Sequence, residues 1–485
     1  MSAQESTPAL HCAAIDLGAT SGRIMLGSWN GRRLKLTEAH RFPNAFRSMG
    51  GHDYWDLAGL WEQVVAGLRK AAALLPRGGK LASVGVDTWG VDHVLVDRRG
   101  RPVYPTLAYR DHRTRPGLAR LARDRAALAR IYAATGIPNV FYNTSLQLAE
   151  SVAVHPSLRD LAARCLFLPD YFNYLLSGRM ANELTIASTS QLIDVHGCGW
   201  SAAALAHFGV PAKWFTRPVL AGARLGPVRG AGLEFLAGAE VIAVPGHDTA
   251  CAYDAMPASP DGTDLFLSAG TWSLVGFESD APVLGPDALA ARISNERIGD
   301  GRYRPLTNVI GMWLLEGIMK DFASRPKSDG EWDALIAAAG RLPAPALLLD
   351  VTDPAFTNPP SMKTAIDAQI RRRRLAAPPS LAAYTRLICD SLGRGHADAR
   401  TAFERLSGRR FQRILMVGGG SKNRLLCQAT ADAAGIPVVS FALEGTAVGN
   451  LARQLIGLGA IRTIAEFRAR LAPTLNPAVY SPARA

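Results

Sequence analysis

The sequence predicts an α/β protein built from two similar halves, and three observations predict it. Short apolar strands run repeatedly into turns rich in glycine, acids and hydroxyls. Amphipathic helices follow those strands in alternation. The opening pattern then returns past the midpoint, where SAGTWS from Ser268 echoes DLGATSGR from Asp16. At 485 residues the chain exceeds one ordinary core, so two domains are expected.

The elements follow in order. HCAAIDLG is an apolar strand ending on an acid and a glycine. IMLGSW (24–29) and a return strand near Lys35 to Arg41 form a hairpin, with Asn30-Gly31 as its turn. Leu57, Leu60, Trp61, Val64, Val65, Leu68 and Ala72 recur at helical spacing between Asp53 and Leu75. ASVGVDTWG is the next strand, and VDHVLVD alternates after it. The rest of the first half is helical and rich in Ala, Leu and Arg. VIAVPGHDT restarts the pattern as a strand running into a turn, and TDLFLSAGTWSLVGF reads as strand-turn-strand. A helix over 381–406 leads to the strand RILMVGGGS. A helix over 425–434, the strand IPVVSF and a helix over 449–458 close the series. The domain boundary falls near 245–255, and the proline-rich stretch 353–379 reads as a surface insertion or loop.

Composition excludes several classes. The chain is 48% apolar and 20% charged, as an ordered globular protein is. No apolar run is long enough to span a bilayer, so no membrane partner is expected. MSAQESTPAL lacks the basic start and apolar core of a secretion leader. Six cysteines are scattered without a CxxC pair, which reads as reduced thiols in a cytoplasmic protein. The net charge of +13 comes largely from dispersed arginine. The dense run Arg371 to Arg374 reads as a solvated face, and no basic stretch is interleaved with aromatics, so no nucleic-acid partner is expected. A positive field still favours an anionic nucleotide.

Four motifs carry chemistry. DLGATSGR turns the backbone at Gly18 and Gly22 and offers amides and the hydroxyls of Thr20 and Ser21 to phosphate, with Arg23 as a neutralising cation. Asp16 at the strand end suits a magnesium ion held through water. An ordinary strand turn is the other reading. GHDT places Asp248 on a turn after an apolar strand, where a carboxylate can take a proton from an alcohol. A helix N-cap is the other role open to it. His247 is a candidate substrate contact or a structural histidine. VGVDTWGVD brings Asp87, Trp89 and Gly90 together: an acid and an aromatic ring suit a polyol, or form a core pair. VGGGSKN gives a surface free of side chains for an adenine ring or phosphates, or a plain helix opening. TAVGN (446–450) reads as packing. GxxxxGK[ST], HExxH and GxSxG are absent, as is a GxGxxG on the opening strands.

Taken together, DLGATSGR, HRFPN (40–44), GVDTWGVD (85–92), YRDHRT (109–114), LPDYFNYLLSG (168–178), GHDTA (246–250), SAGTWSL (268–274), IGMWLLE (310–316) and VGGGSKNRLL (417–426) resemble the FGGY carbohydrate kinases. The likeness runs from about Ala13 to Leu458, and the DTWGVD, YRDHRT and PDYFNYLLSG words place it nearest the branch acting on L-rhamnulose. The resemblance implies two actin-like (ribonuclease H-like) lobes with a central cleft: 1–248, sugar-binding, and 249–485, nucleotide-binding. It implies ATP and Mg2+ as cofactors and a ketose as the partner molecule, phosphorylated at its 1-hydroxyl, by a monomer or homodimer. By position, Asp248 matches the proton acceptor and Asp16 the metal-associated aspartate. Ala19, Thr20, Ser21, Gly22, Arg23, Thr271, Glu316, Gly419 and Gly420 match nucleotide contacts. Gly90, His247, Thr249 and Asn308 match sugar contacts, beside Asp87 and Trp89. Two departures stand out. Glu316 replaces a glutamine, and a carboxylate there calls for a pairing cation. Asn295-Glu296-Arg297 replaces Asn-Glu-Gly-Gly, and the added side chains are expected to narrow or re-tune the cleft.

Overall fold

The computed structural model describes residues 9–483. Residues 1–8, on which most of the leader reading rests, lie outside the described residues. The chain divides into two compact units. The first runs to Pro257 and adds Glu278–Pro305 and Gly445–Thr474; the second holds Ala258–Phe277, Leu306–Glu444 and the residues from Leu475 on.

The first unit is organised by a sheet of strands Leu34–Pro43, Ser21–Trp29, Leu10–Leu17, Leu81–Thr88, Glu240–Ile242 and Arg224–Pro227, hydrogen-bonded in that order. Its first three strands are antiparallel neighbours. The opening strand then pairs in parallel with Leu81–Thr88, which pairs in parallel with Glu240–Ile242. The opening strand is buried from Cys12 to Leu17, as a strand with neighbours on both edges should be. The expected hairpin turn is present. Asn30 Oδ1 accepts the amides of Arg32 and Arg33, and Gly31 takes φ +89°, which a side chain would resist. The amphipathic helix is Leu57–Ala73, capped by Asp56 on the Gly59 amide and burying Leu60, Val64, Leu68 and Ala71. It starts later than its periodicity suggested because His52–Tyr54 pairs as a strand with Arg47–Met49.

The second unit repeats the pattern. Strands Tyr303–Ile310, Trp272–Gly276, Asp264–Ala269, Arg413–Val417, Val438–Ser440 and Ala478–Tyr480 follow one another in its sheet. Three antiparallel neighbours are again followed by two parallel steps and an antiparallel edge. The echo of DLGATSGR in SAGTWS is therefore a repeat of topology, since both words close the turn between the first two strands of a sheet.

Three expectations differ from what is observed. VIAVPGHDT pairs as a strand only over Glu240–Ile242, because Pro245 has no amide to give a ladder. The stretch 353–379 is not a bare loop. It contains the helix Met362–Arg372, which buries Met362, Ile366 and Ile370 and carries Arg371 to Arg374 exposed at its end. The division between units is not a single cut at 248. Residues 445–474 return to the first unit because Gly445–Gly457 packs closely on the helix Asp248–Ala255. A Cβ on Gly449 would stand 1.8 Å from the Cys251 carbonyl, and Arg453 makes a buried pair with Asp254 at 2.6 Å.

Candidate active site

Asp248 is the first residue of the helix Asp248–Ala255, with His247 at the N-cap and making no side-chain cap. The turn before it is built for close approach. A Cβ on Gly246 would lie 2.9 Å from Ile186 and Pro169, so only glycine fits. The Gly246 carbonyl accepts the Thr88 amide at 2.9 Å, which ties the turn to the end of the central strand. On the other side the Gly246 amide donates to buried Glu183. Asp248 therefore follows a turn tied through Gly246 to the Thr88 backbone on one side and to the Glu183 carboxylate on the other. Its carboxylate accepts the Thr249 amide at 2.6 Å and leaves part of its surface open, with the side chain 28% exposed. Burial raises its pKa, while His247, the Thr249 amide and Arg304 oppose the rise.

Behind Asp248 lies a charged cluster. The Arg304 side chain is fully buried and donates through Nη1 to Thr249 Oγ1 at 2.7 Å and through Nη2 to Glu296. The same Nη2 lies 2.5 Å from His247 Nδ1, and Glu296 Oε2 lies 3.1 Å from that nitrogen. Burial alone would raise Glu296, but the Arg304 guanidinium beside it holds its carboxyl down to about 2. Asp248, His247 and Thr249 are thus brought together as expected. Gly90 joins them, since a Cβ there would be 3.4 Å from His247 Nε2.

Asp87 and Trp89 do not form a pair with each other. Trp89 is buried, its ring 4.2 Å from Trp55, and both indoles donate to Asp92 Oδ2, at 2.8 and 2.6 Å. Of the two readings open for this motif, the Trp89 ring takes the buried one, with Trp55 and Asp92 as its partners rather than Asp87. Burial pushes the Asp92 carboxyl up to about 6, against its four donors. Between them Val91 takes φ +69°, a strained conformation for a β-branched residue. It is held by the Thr189 hydroxyl on its amide and by Thr144 and Gln147 on its carbonyl.

Asp87 lies beside Asp16 on the neighbouring parallel strand. Its Oδ2 accepts from Asn450 at 2.6 Å and its buried Oδ1 has no partner. Burial, then Asp16, raises its pKa well above the usual range. Asp16 is paired with Arg23 across the hairpin at 2.5 Å, so Arg23 spends its charge on Asp16. Ala19, Thr20 and Ser21 form the turn, closed by the Gly18 amide on the Ser21 carbonyl, and Gly22 lets the Phe42 ring pack where a Cβ would stand. Among the described residues no cluster of three or more His, Cys, Asp or Glu is arranged to hold a metal. A cation that keeps most of its water needs only one or two carboxylates. Asp16, with the orphaned Asp87 oxygen alongside, fits that requirement.

Thr271, Glu316, Gly419, Gly420 and Asn308 fall in the second unit. Thr271 is exposed in the turn after Asp264–Ala269, and its carbonyl accepts the Gly311 amide. Gly418, at φ +90°, and Gly420 press on Ala269, which sets the open backbone of Gly419 beside that turn. Asn308 is exposed on Tyr303–Ile310, opposite Leu274. Glu316 does have its cation, Arg325, at 3.1 Å. Arg297 does not narrow the site. It is buried, lies 3.8 Å over the Tyr303 ring, and donates to the carbonyls of Gly301, Asp194, Val195 and Gly197.

Arg304, Trp55 and Glu183 stand outside every motif of the sequence reading. Asp92 carried a local signal as the second acid of VGVDTWGVD, and Asn450 as the end of TAVGN, which reads only as packing.

The comparisons with known proteins agree in kind. Residues 11–253 match the N-terminal domain, and residues 265–458 the C-terminal domain, of the FGGY family of carbohydrate kinases. The chain is 39% identical over 461 residues to a rhamnulokinase of Klebsiella pneumoniae (strain 342), covering 94% of this chain and 92% of the relative. It is 40% identical over 462 residues to one from Enterobacter sp. (strain 638), covering 94% and 91%. Solved structures share the fold. Xylulose kinase from Rhodospirillum rubrum has a TM-score of 0.78 at 20% identity, covering 98% of this chain and 94% of that one. Plasmodium falciparum glycerol kinase with ADP has a TM-score of 0.78 at 12% identity, with the same coverage.

Proposed function

The chain belongs to the FGGY family of carbohydrate kinases, and from that premise we propose that it transfers a phosphoryl group from ATP to the 1-hydroxyl of L-rhamnulose. The products are L-rhamnulose 1-phosphate and ADP, and the step belongs to L-rhamnose catabolism. The observation that carries the substrate is the 39–40% identity to rhamnulokinases over 94% of the chain.

In this reading Asp248 accepts the proton of the hydroxyl as the phosphoryl group arrives. Its raised pKa keeps it basic enough, and its open side chain leaves room for the sugar. His247, Thr249 and Gly90 contact the sugar, with Asn308 as a further contact. Asp87 and Trp89 support that contact surface from within. The turn from Gly18 to Gly22 and the turn at Thr271 give amides and hydroxyls to the phosphates, and Gly419, seated on buried Gly420, offers flat backbone to the nucleotide, with Glu316 as a further contact. The first unit is then the sugar-binding lobe and the second the nucleotide-binding one. Asp16, with Asp87 beside it, would hold a divalent cation, Mg2+ in this reading, which when bound neutralises phosphate charge. Because the transition state of phosphoryl transfer is loose, positioning and neutralisation supply most of the acceleration. Among the described residues no helix is long and apolar enough to cross a membrane. The six free thiols suit a reducing, cytoplasmic setting.

The test is ADP release with ATP, Mg2+ and a panel of ketoses. Turnover on L-rhamnulose above L-fuculose and the xyluloses is the expected result. A higher kcat/KM on another ketose would refute the substrate while leaving the reaction.

A further inference from the structure

The structure assigns to Arg304 the role of a positioning residue: it fixes His247 as the neutral tautomer protonated on Nε2, so that the nitrogen beside Asp248 and Gly90 is a hydrogen-bond donor. The proposal deepens the reading of Asp248 as base and His247 as sugar contact, and rests on it.

A guanidinium has N–H donors and no acceptor, and it keeps its charge in proteins. Arg304 Nη2 lies 2.5 Å from His247 Nδ1. A proton on Nδ1 would meet an N–H head-on at that distance, so Nδ1 must present its lone pair. The ring's one hydrogen then sits on Nε2. Glu296 offers the alternative, because its Oε2 is 3.1 Å from the same Nδ1 and would accept a proton there. The closer guanidinium decides between them. Glu296 is also already committed to Arg304 and, through its other oxygen, to Ser294.

The consequence falls on the open side of the ring. Nε2 is 3.5 Å from Asp248 Oδ1 and 3.3 Å from Thr249 Oγ1. Thr249 Oγ1 accepts from Arg304 Nη1, so its own hydrogen is left to donate. One guanidinium thereby sets two donors, the Nε2–H and the Thr249 hydroxyl, beside one acceptor, Asp248. That set suits a hydroxyl that gives its proton to Asp248 and a neighbouring keto or hydroxyl oxygen that accepts from the pair. A cationic imidazole would instead hold the Asp248 carboxylate as an ion pair and blunt it as a base. Asp248, Glu296, Arg304 and Thr249 are the polar side chains facing the ring.

The experiment is two-bond 1H–15N correlation spectroscopy on the full chain labelled at histidine, with His247 assigned by its loss in His247→Asn. The expected wild-type pattern is an unprotonated Nδ1 and a protonated Nε2. In Arg304→Met, where Glu296 alone faces Nδ1, the proton moves to Nδ1. A protonated Nδ1 in the wild type overturns the proposal, whatever the variants do. Arg304→Lys gives the kinetic arm. It is expected to raise KM for the ketose roughly 10–100-fold, as a lost charged hydrogen bond would, and to leave KM for ATP nearly unchanged. An equal rise in both constants would show a merely structural role. Failure of the parent reading looks different: an active Asp248→Asn would remove the base and leave the tautomer result standing.

Discussion

Asn450 donates its side-chain amide to Asp87 Oδ2 at 2.6 Å, across 363 residues of sequence. The same helix sends Gln454 to the Ala13 carbonyl and to Ser83, so the two central strands of the first sheet are hydrogen-bonded from a distant segment. Asp87 is fully buried and its other oxygen is already unpartnered. Removing the amide would leave both oxygens without a donor. Asn450→Ala is expected to destabilise the protein by about 1–3 kcal/mol, the usual cost of orphaning a buried polar group. A shift in the urea midpoint measures it, and an unchanged midpoint would contradict it.

Asp248→Asn keeps the shape of the side chain and removes the proposed base. The expected loss in kcat is about 10²–10⁴-fold, with KM for the ketose changed little and the thermal midpoint retained. Steady-state kinetics with a melting curve test this. Retained kcat would place the base elsewhere.

Asp92 gives a pH dependence with a definite sign. Its folded pKa, about 6, lies above the ordinary carboxylate range. A group whose folded pKa is raised binds its proton more tightly in the native state. Its contribution is fully present below the unfolded pKa of about 4 and is lost as pH rises through about 6. The stability of wild type relative to Asp92→Asn should therefore fall between about pH 4 and 6 and level off above about 7. Denaturant midpoints of both proteins across that range check it, and a difference that grows with pH would reverse the assignment.

Gly449 sets two effects against each other. Alanine favours the helix interior by about 1 kcal/mol over glycine. The added Cβ, however, would sit 1.8 Å from the Cys251 carbonyl, where the helices must move apart. Overpacking costs about 1–3 kcal/mol or more. Gly449→Ala should therefore be destabilised, and a raised melting temperature would refute that.

Glu316 and Arg325 are both substantially exposed, so their pairing contributes at most about 1 kcal/mol to stability. Its expected effect is on the nucleotide. With Glu316 at the nucleotide as proposed, Arg325→Ala bares its carboxylate and should raise KM for ATP a few-fold, roughly 1 kcal/mol or less. Adding Glu316→Gln should restore it. A double variant no better than the single one would remove Glu316 from the nucleotide site.

Much of the fold could be read from the chain because apolar strands and periodic helices announce themselves locally. The hairpin at Asn30-Gly31, the helix burying Leu60 and Val64, and the second opening at Ser268 were of this kind. The helix Met362–Arg372 was hidden by its proline-rich flanks, although Met362, Ile366 and Ile370 keep helical spacing. Within the site, the motif words pointed to Asp248, His247, Thr249 and Gly90, which are brought together. Arg304 and Glu296 were less visible because nothing in a local pattern says that a charged residue on a strand points inward. Their partners in the GHDT turn, His247 and Thr249, are 49 to 57 positions away. Nothing local chose between the polyol and core readings of Trp89, because Trp55, which packs on it, stands outside the motif.

The return of residues 445–474 to the first unit bears on how the protein is made. The ribosome emits Asp87, Asp254 and Ser83 long before Asn450, Arg453 and Gln454, their buried partners. The first unit therefore cannot reach its final packing until those residues have been made, however early its strands pair. Nascent chains stalled before Gly445 would carry an amino-terminal body in which Asp87, Asp254 and Ser83 lack these buried partners.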